Sequence, residues 1–323
     1  MEPKEPLTEK TLPFNNLFLN AGVINGFNEW WMYVLGIFAA MFGYFLFQLF
    51  IIFPLMAAAS NNGLSLTDIQ EHPEALFDPE KIGINKNILL ALLLGMFVFT
   101  FFGLLIVVKS VHKKTLVSII TAWDKIRFSR FLFGFGVWAV FLIISVLLSY
   151  FLNKEDMKFQ FDPMNFIYLV AVCLILMPIQ TGTEELIFRG YLVQGLSQVF
   201  KNGITPLIIT SLLFGLVHMT NPEAKEYGWI MMLPYYSLFG FFLGAITLLD
   251  EGLELAMGIH CANNIISSLL ITSPNGVLKT DAVFVTTAEN PGSEFLTWLV
   301  MAALTFTIFW QKYRWKNFNL LIK

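Results

Sequence analysis

Charge is scarce in this sequence. Of its 323 residues, 13% are Asp, Glu, Lys or Arg and 56% are hydrophobic, with a mean hydropathy of +0.67; soluble domains carry about 25% charged residues. Water is thereby excluded as the main solvent, and lipid takes its place. A basic excess is also missing. The net charge of −3 provides no concentrated cationic face for binding phosphates, so nucleic acid is not a partner. Cysteine is nearly absent: Cys173 and Cys261 both lie in apolar stretches, which gives a disulfide framework no support and leaves them as packing residues. No internal repeat or low-complexity tract is evident. Residues 1–29 lack an apolar run and a small-residue cleavage pattern; with Glu and Lys around Pro3, Pro6 and Pro13, they read as a cytoplasmic tail and not a signal peptide.

What the chain does have is apolar segments long enough to cross a bilayer, which takes roughly 20 residues at about 1.5 Å of helical rise each. Backbone groups in lipid must be bonded within the segment or in a closed barrel, and runs without period-2 alternation favour helices. The expected fold is an all-α polytopic bundle of about eight transmembrane helices: Trp30 to Ala58, Asn87 to Val108, Phe131 to Leu152, Asn165 to Gly182, Ile204 to Met219, Trp229 to Leu249, Leu253 to Ile271 and Phe295 to Trp310. Glu184 to Phe200 is amphipathic and is expected to extend the fourth helix. Residues 30–311 make one membrane domain, with a basic tail at 312–323. Thirteen of the 20 basic residues fall on the N-terminal side of these spans against six on the other, with Arg189 set aside as buried; the positive-inside rule then puts both termini in the cytoplasm. Those basic runs are read as topology and lipid contacts, not as a ligand site.

Three polar clusters interrupt the apolar runs. In Glu184-Glu185-Leu186-Ile187-Phe188-Arg189, a charge at a helix centre costs about 2.5–3.5 kcal/mol, so these groups must pair or face a wet cavity. Glu185 and Arg189, four apart, share a face and form the natural ion pair; Glu184, about 100° around the axis, is left free to act. An interfacial charge cluster that merely caps a span remains the plainer alternative. His218 ends an apolar run, and His260 and Asn264, four apart, sit on one face inside another. A lone membrane histidine is more often an interhelical hydrogen-bond residue; three clusters on separate helices point instead to a shared site.

The set suits amide hydrolysis, with a carboxylate taking a proton from water beside an imidazole, and Asn and His N–H groups facing the developing oxyanion. Ser211 lacks a nucleophile-elbow context, and the apolar surroundings of Cys261 leave its thiol inert. A divalent metal such as zinc on Glu184, His218 and His260 is the variation, although no compact helical ligand pair of the His-Glu-x-x-His kind occurs. Direct water activation without a cofactor is favoured.

With Glu-Glu-x-x-x-Arg at 184–189, Phe-x-x-x-His at 214–218 and His-x-x-x-Asn at 260–264, the chain resembles the CAAX-processing and bacteriocin-processing (Abi-type) family of intramembrane proteases, related to the Ras-converting endoprotease, from about residue 166 to 270. The resemblance implies that Glu184 is the general base, that His218 helps hold the water, that His260 and Asn264 stabilise the oxyanion, and that Glu185 and Arg189 support the site. It also implies a membrane-associated peptide or protein substrate, lipidated or CAAX-like, and, from the family's abundance, a bacterial plasma membrane. The eukaryotic branch removes the last three residues of prenylated proteins. A non-catalytic scaffold or bacteriocin-immunity protein is the alternative, and a carrier using the buried carboxylates a third. Gly240 and Gly244, four apart, are read as close-packing positions.

Overall fold

Apolar runs of this length fold as helices, and short polar side chains mark where they begin. The computed structural model describes residues 12–152, 155–274, 276, 278–286, 290–316 and 318–321. Its principal helices are α1 (Leu17–Ile24), α2 (Trp30–Asn61), α3 (Lys86–Ser110), α4 (Phe128–Leu152), α5 (Pro163–Phe200), α6 (Ile204–Val217), α7 (Trp229–Asp250), α8 (Glu254–Leu270) and α9 (Pro291–Tyr313). Side chains of Asn16, Asn85, Asp162 and Asn290 accept from the first free N–H groups of α1, α3, α5 and α9, and Pro163 and Pro291 occupy first-turn positions where no N–H is needed.

The eight expected segments correspond to α2–α9. Six of them (α2, α3, α4, α5, α7 and α9) are long and apolar enough to cross a membrane. The other two are shorter, with 14 residues in α6 and 17 in α8. The expected continuation of the fourth span past Glu184 is present: α5 runs unbroken for 38 residues.

Parts of the two segments read as tails pack onto the bundle. The segment read as an N-terminal tail contains α1, whose Phe18 and Leu19 are fully buried. Its apolar octet is too short to span but long enough to dock; Asn16 also donates to Leu248 O at the foot of α7. The basic C-terminal segment does not leave the bundle at once either. It begins as the last turn of α9, and Trp315 then buries itself and donates to Asp250.

Both described termini lie at one end of the bundle. Leu17 N–H donates to Glu251 and Phe27 N–H to His112 O, joining the N-terminal segment to the α7–α8 turn and the α3–α4 connection. Arg127 bonds Glu254 at 2.6 Å and Asp250 at 3.0 Å, and Arg130 pairs with Asp250, which pins the same turn. At the opposite end, the connections 62–85 and 271–290 are not structureless. The first holds helical turns at Leu66–Glu71 and Pro79–Ile82; the second contributes β2 (Ile271–Thr272) and β3 (Phe284–Thr286) to a small sheet completed by β1 (Met157–Phe159) from the α4–α5 connection, with β3 central, antiparallel to β1 and parallel to β2.

α8 is the axial element, packed by α4, α5 and α7. Encased in protein, it tolerates Glu254, His260, Asn263 and Asn264 where a lipid-facing helix would not. Its closest neighbour is α4, where a Cβ on Gly258 would collide with the Phe131 carbonyl. That backbone approach sets the depth at which α8 presents its polar face.

Candidate active site

Glu184 and Glu185 stand at the last regular turn of α5, since Leu186–Leu192 adopts π geometry before α geometry resumes at Val193. Such turns widen the helix by one residue and recur at functional sites. Here the turn leaves Arg189 almost fully buried, 1% exposed, with Nη1 donating to Glu185 Oε1 at 2.8 Å. The ion pair expected from the four-residue spacing is therefore present, and both partners are enclosed. The guanidinium also lies 4.1 Å from the Phe214 ring centre and donates from Nε to Gly240 O at 3.4 Å. A side chain at Gly240 would crowd Arg189 and the Ser211 backbone, and one at Gly244 would strike Leu207, so the small-residue pair of α7 serves close packing against α5 and α6.

Glu185 reaches further than its arginine. The same Oε1 lies 2.7 Å from His260 Nδ1, so a single carboxylate oxygen orients both partners. Its bond to Nδ1 turns Nε2 towards Glu184 Oε2, 3.6 Å away and beyond hydrogen-bonding range. Glu184 is held differently. Oε1 accepts from Gln180 Nε2 at 2.7 Å, whereas Oε2 is buried without a protein partner. The freedom expected of Glu184 thus belongs to one oxygen of the two.

His218 follows the last α turn of α6, in a 3-10 turn that continues to Thr220. The sequence places it near the end of a span and His260 in mid-helix, a mismatch in depth. Packing nevertheless brings both rings to one side chain, since Phe214 on the last turn of α6 lies 4.4 Å from the His218 ring and 6.1 Å from the His260 ring. His218 Nδ1 contacts Phe214 O at 2.6 Å, and the ring stacks on Tyr236 at 4.4 Å and 24°. With Nδ1–H donated to a carbonyl, Nε2 of the neutral ring carries the lone pair. Phe214 and Phe239 meet the His260 ring edge-on at 6.1 and 5.4 Å, so aromatic walls separate the imidazoles from lipid.

Asn264 Nδ2 donates to Gln180 Oε1 at 2.9 Å, which leaves it one further N–H. α5 and α8 thus bring together Glu184, Glu185, Arg189, His260 and Asn264, and Phe214 brings α6 and His218 against them. Among the described residues, no three His, Cys, Asp or Glu side chains are gathered closely enough to hold a metal ion. Cys173 and Cys261 are both buried as free thiols in a cluster with Leu90, Leu94 and Leu169. A cavity of about 370 Å³ lies elsewhere, at the loop end among Glu80, Lys86, Asn165 and Asp281.

Sequence reasoning missed Gln180, Asn263, Tyr236, Phe239 and Trp138. Gln180 carried a usable signal: it is a polar residue in an apolar run, one helical turn before Glu184. The aromatic residues carried none, being indistinguishable from the many others on lipid-facing helices.

The chain matches a family model described as Type II CAAX prenyl endopeptidase Rce1-like over residues 163–266. That stretch holds all of the residues gathered here from α5, α6 and α8. It is also similar to the uncharacterized protein YyaK of Bacillus subtilis (strain 168), with 31% identity over 223 residues, covering 68% of this chain and 74% of the relative. No solved structure matches it.

Proposed function

Because the chain belongs to the CAAX-processing and bacteriocin-processing family of intramembrane proteases, we propose that it hydrolyses a peptide bond of a membrane-associated substrate using water activated by Glu184. The observation that carries this reading is how differently the two carboxylates are engaged: Glu185 is committed to Arg189 and His260, whereas Glu184 is tied only through Oε1 to Gln180, with Oε2 buried, free of hydrogen bonds and 3.6 Å from His260 Nε2. A buried carboxylate oxygen left unbonded is costly, and it is tolerated at a site that binds water or substrate.

In the proposed reaction, a water donates one O–H to Glu184 Oε2 and the other to His218 Nε2. Glu184 takes the proton as the water oxygen bonds to the carbonyl carbon. The carbonyl oxygen becomes an oxyanion, facing the spare N–H of Asn264 and Nε2–H of His260. Because Nδ1–H already goes to Glu185, His260 donates from both nitrogens only as an imidazolium, and the Glu185 carboxylate supplies the counter-charge. Collapse of the tetrahedral intermediate breaks the C–N bond, and Glu184 returns its proton to the leaving amine. A carboxylic acid and an amine result, with Glu184 ionised again, and the acid proton passes to the amine to leave carboxylate and ammonium products. Removing one such oxyanion donor costs about 2.7–4 kcal/mol in other hydrolases.

The substrate in this reading is a lipid-anchored peptide with a CAAX-like C-terminus, cleaved in a plasma membrane with both termini of the enzyme on the cytoplasmic side. The clustering of Lys109, Lys113, Lys125, Arg127, Arg130 and Lys312 at the end that holds the termini supports that orientation. The test is product mass analysis after the chain, in liposomes, meets a farnesylated CAAX peptide and its unprenylated counterpart, with and without a chelator. Release of the C-terminal tripeptide from the prenylated peptide, undiminished by chelator, is the expected result. Loss of cleavage with chelator, restored by zinc, would overturn direct activation.

A further inference from the structure

Glu184 is the last member of a chain of side-chain hydrogen bonds running back through α8 to α4. Trp138 Nε1 donates to Asn263 Oδ1 at 3.1 Å, and Asn263 Nδ2 to Asn264 Oδ1 at 3.2 Å. Asn264 Nδ2 donates to Gln180 Oε1 at 2.9 Å, and Gln180 Nε2 to Glu184 Oε1 at 2.7 Å. Trp138 is fully buried and Gln180 9% exposed, with Asn263 and Asn264 partly buried between them, so solvent offers the Trp138 and Gln180 groups little alternative.

The two ends dictate the direction of everything between them. An indole N–H can only donate and a carboxylate can only accept. Each of the three intervening amides must therefore turn its oxygen towards Trp138 and its nitrogen towards Glu184. Reversing any one of them sets two oxygens or two N–H groups against each other, a fault that low-dielectric surroundings make expensive. A uniformly directed chain is also self-reinforcing, because each bond polarises the next.

We propose that Gln180 is the positioning residue of the base, and that Trp138 and Asn263 set its orientation from the far side of α8; the inference rests on Glu184 being the base. Gln180 occupies Oε1, fixes the plane of the carboxylate and leaves Oε2 as the oxygen that meets water. The same chain holds Asn264 so that its remaining N–H is the one turned to substrate. Neither Trp138 nor Asn263 touches Glu184.

The test compares wild type, Gln180→Leu, Asn263→Asp, their double variant and Glu184→Gln, each as the full chain in liposomes with the farnesylated CAAX peptide. Asn263→Asp removes a donor and sets an acceptor-only group against Asn264 Oδ1; reversing Asn264 and Gln180 would relieve that contact only by turning Gln180 Oε1 against Glu184, so in either case the chain is broken. Gln180→Leu and Asn263→Asp should each lower kcat roughly 10- to 100-fold, the range set by one hydrogen bond to a charged group, with KM changed less than about twofold. The double variant should be no slower than Gln180→Leu, because the chain is already cut. Wild-type kcat in Asn263→Asp, or losses that simply multiply, with Glu184→Gln inactive, would overturn the chain while leaving Glu184 as base. An active Glu184→Gln would overturn the base and the inference with it. A readout independent of turnover is the Trp138 indole resonance in 15N-tryptophan protein, identified among the eight tryptophans by Trp138→Phe. It should move in Gln180→Leu, and an unmoved resonance would overturn the proposal.

Discussion

Oε1 of Glu185 bonds Nδ1 of His260 at 2.7 Å and Nη1 of Arg189 at 2.8 Å, with the carboxylate itself fully buried. One anion thus serves two cationic or donor groups on different helices. It settles which nitrogen His260 presents to Glu184, and it compensates a guanidinium that is otherwise enclosed by aromatic side chains and the α7 backbone.

Glu185→Gln therefore leaves Arg189 buried without its counter-charge, and unfolding in detergent should show a loss of about 3–5 kcal/mol. Adding Arg189→Met should recover most of that stability, since a neutral pair no longer needs compensation, yet leave cleavage impaired because His260 has lost its orienting carboxylate. Recovery of activity along with stability would reduce Glu185 to a purely structural role.

His218→Phe keeps a ring against Tyr236 and Phe214 but removes Nε2. Thermal unfolding should stay near that of wild type while the rate of cleavage falls by about 10²- to 10⁴-fold, the usual worth of a proton-handling group. An active His218→Phe would exclude the ring from water binding.

Much of this arrangement was legible in the sequence, and the reasons differ by residue. Helices α2–α9 were readable because lipid demands long apolar runs, and Glu185–Arg189 because four-residue spacing puts side chains on one face. The docking of α1 was hidden, since an apolar octet alone does not say whether it finds a groove. So was the approach of His218 to His260, which depends on Phe214 lying against both rings. The second role of Glu185 and the Gln180–Asn264 bond needed the packing of α5 against α8, a relation between segments some 80 residues apart.

Gly258 should be intolerant of substitution. In Gly258→Ala the added methyl meets the Phe131 carbonyl, a backbone atom that cannot swing aside. The expected cost is about 1–3 kcal/mol, with a lower kcat because α8 carries His260 and Asn264. Unaltered stability and rate would show that the α4–α8 interface has slack.

Lys114, in the α3–α4 connection, is 4% exposed and donates from Nζ to Gly22 O, Asn28 Oδ1 and Tyr33 Oη at 2.8, 2.5 and 2.9 Å. Burial pushes its ammonium down to about 7 from 10.5. Between those values the unfolded chain binds the extra proton, so this group's contribution to stability rises with pH across the window, by at most about 1.4 kcal/mol per unit. Below about 7 both states are protonated and the contribution is constant. Unfolding of wild type and Lys114→Met at pH 7 and pH 9 reads this directly: the difference should move in favour of wild type at the higher pH. A pH-independent difference would show that the buried amine keeps its proton.

The most direct test of Glu184 as the base is the initial rate of peptide cleavage by wild type and Glu184→Gln, both in liposomes and matched in thermal unfolding. Glutamine preserves the shape and the bond from Gln180 but cannot take a proton from water. The rate should fall by at least about 10²-fold; cleavage by Glu184→Gln within about twofold of wild type would contradict general-base catalysis by this residue.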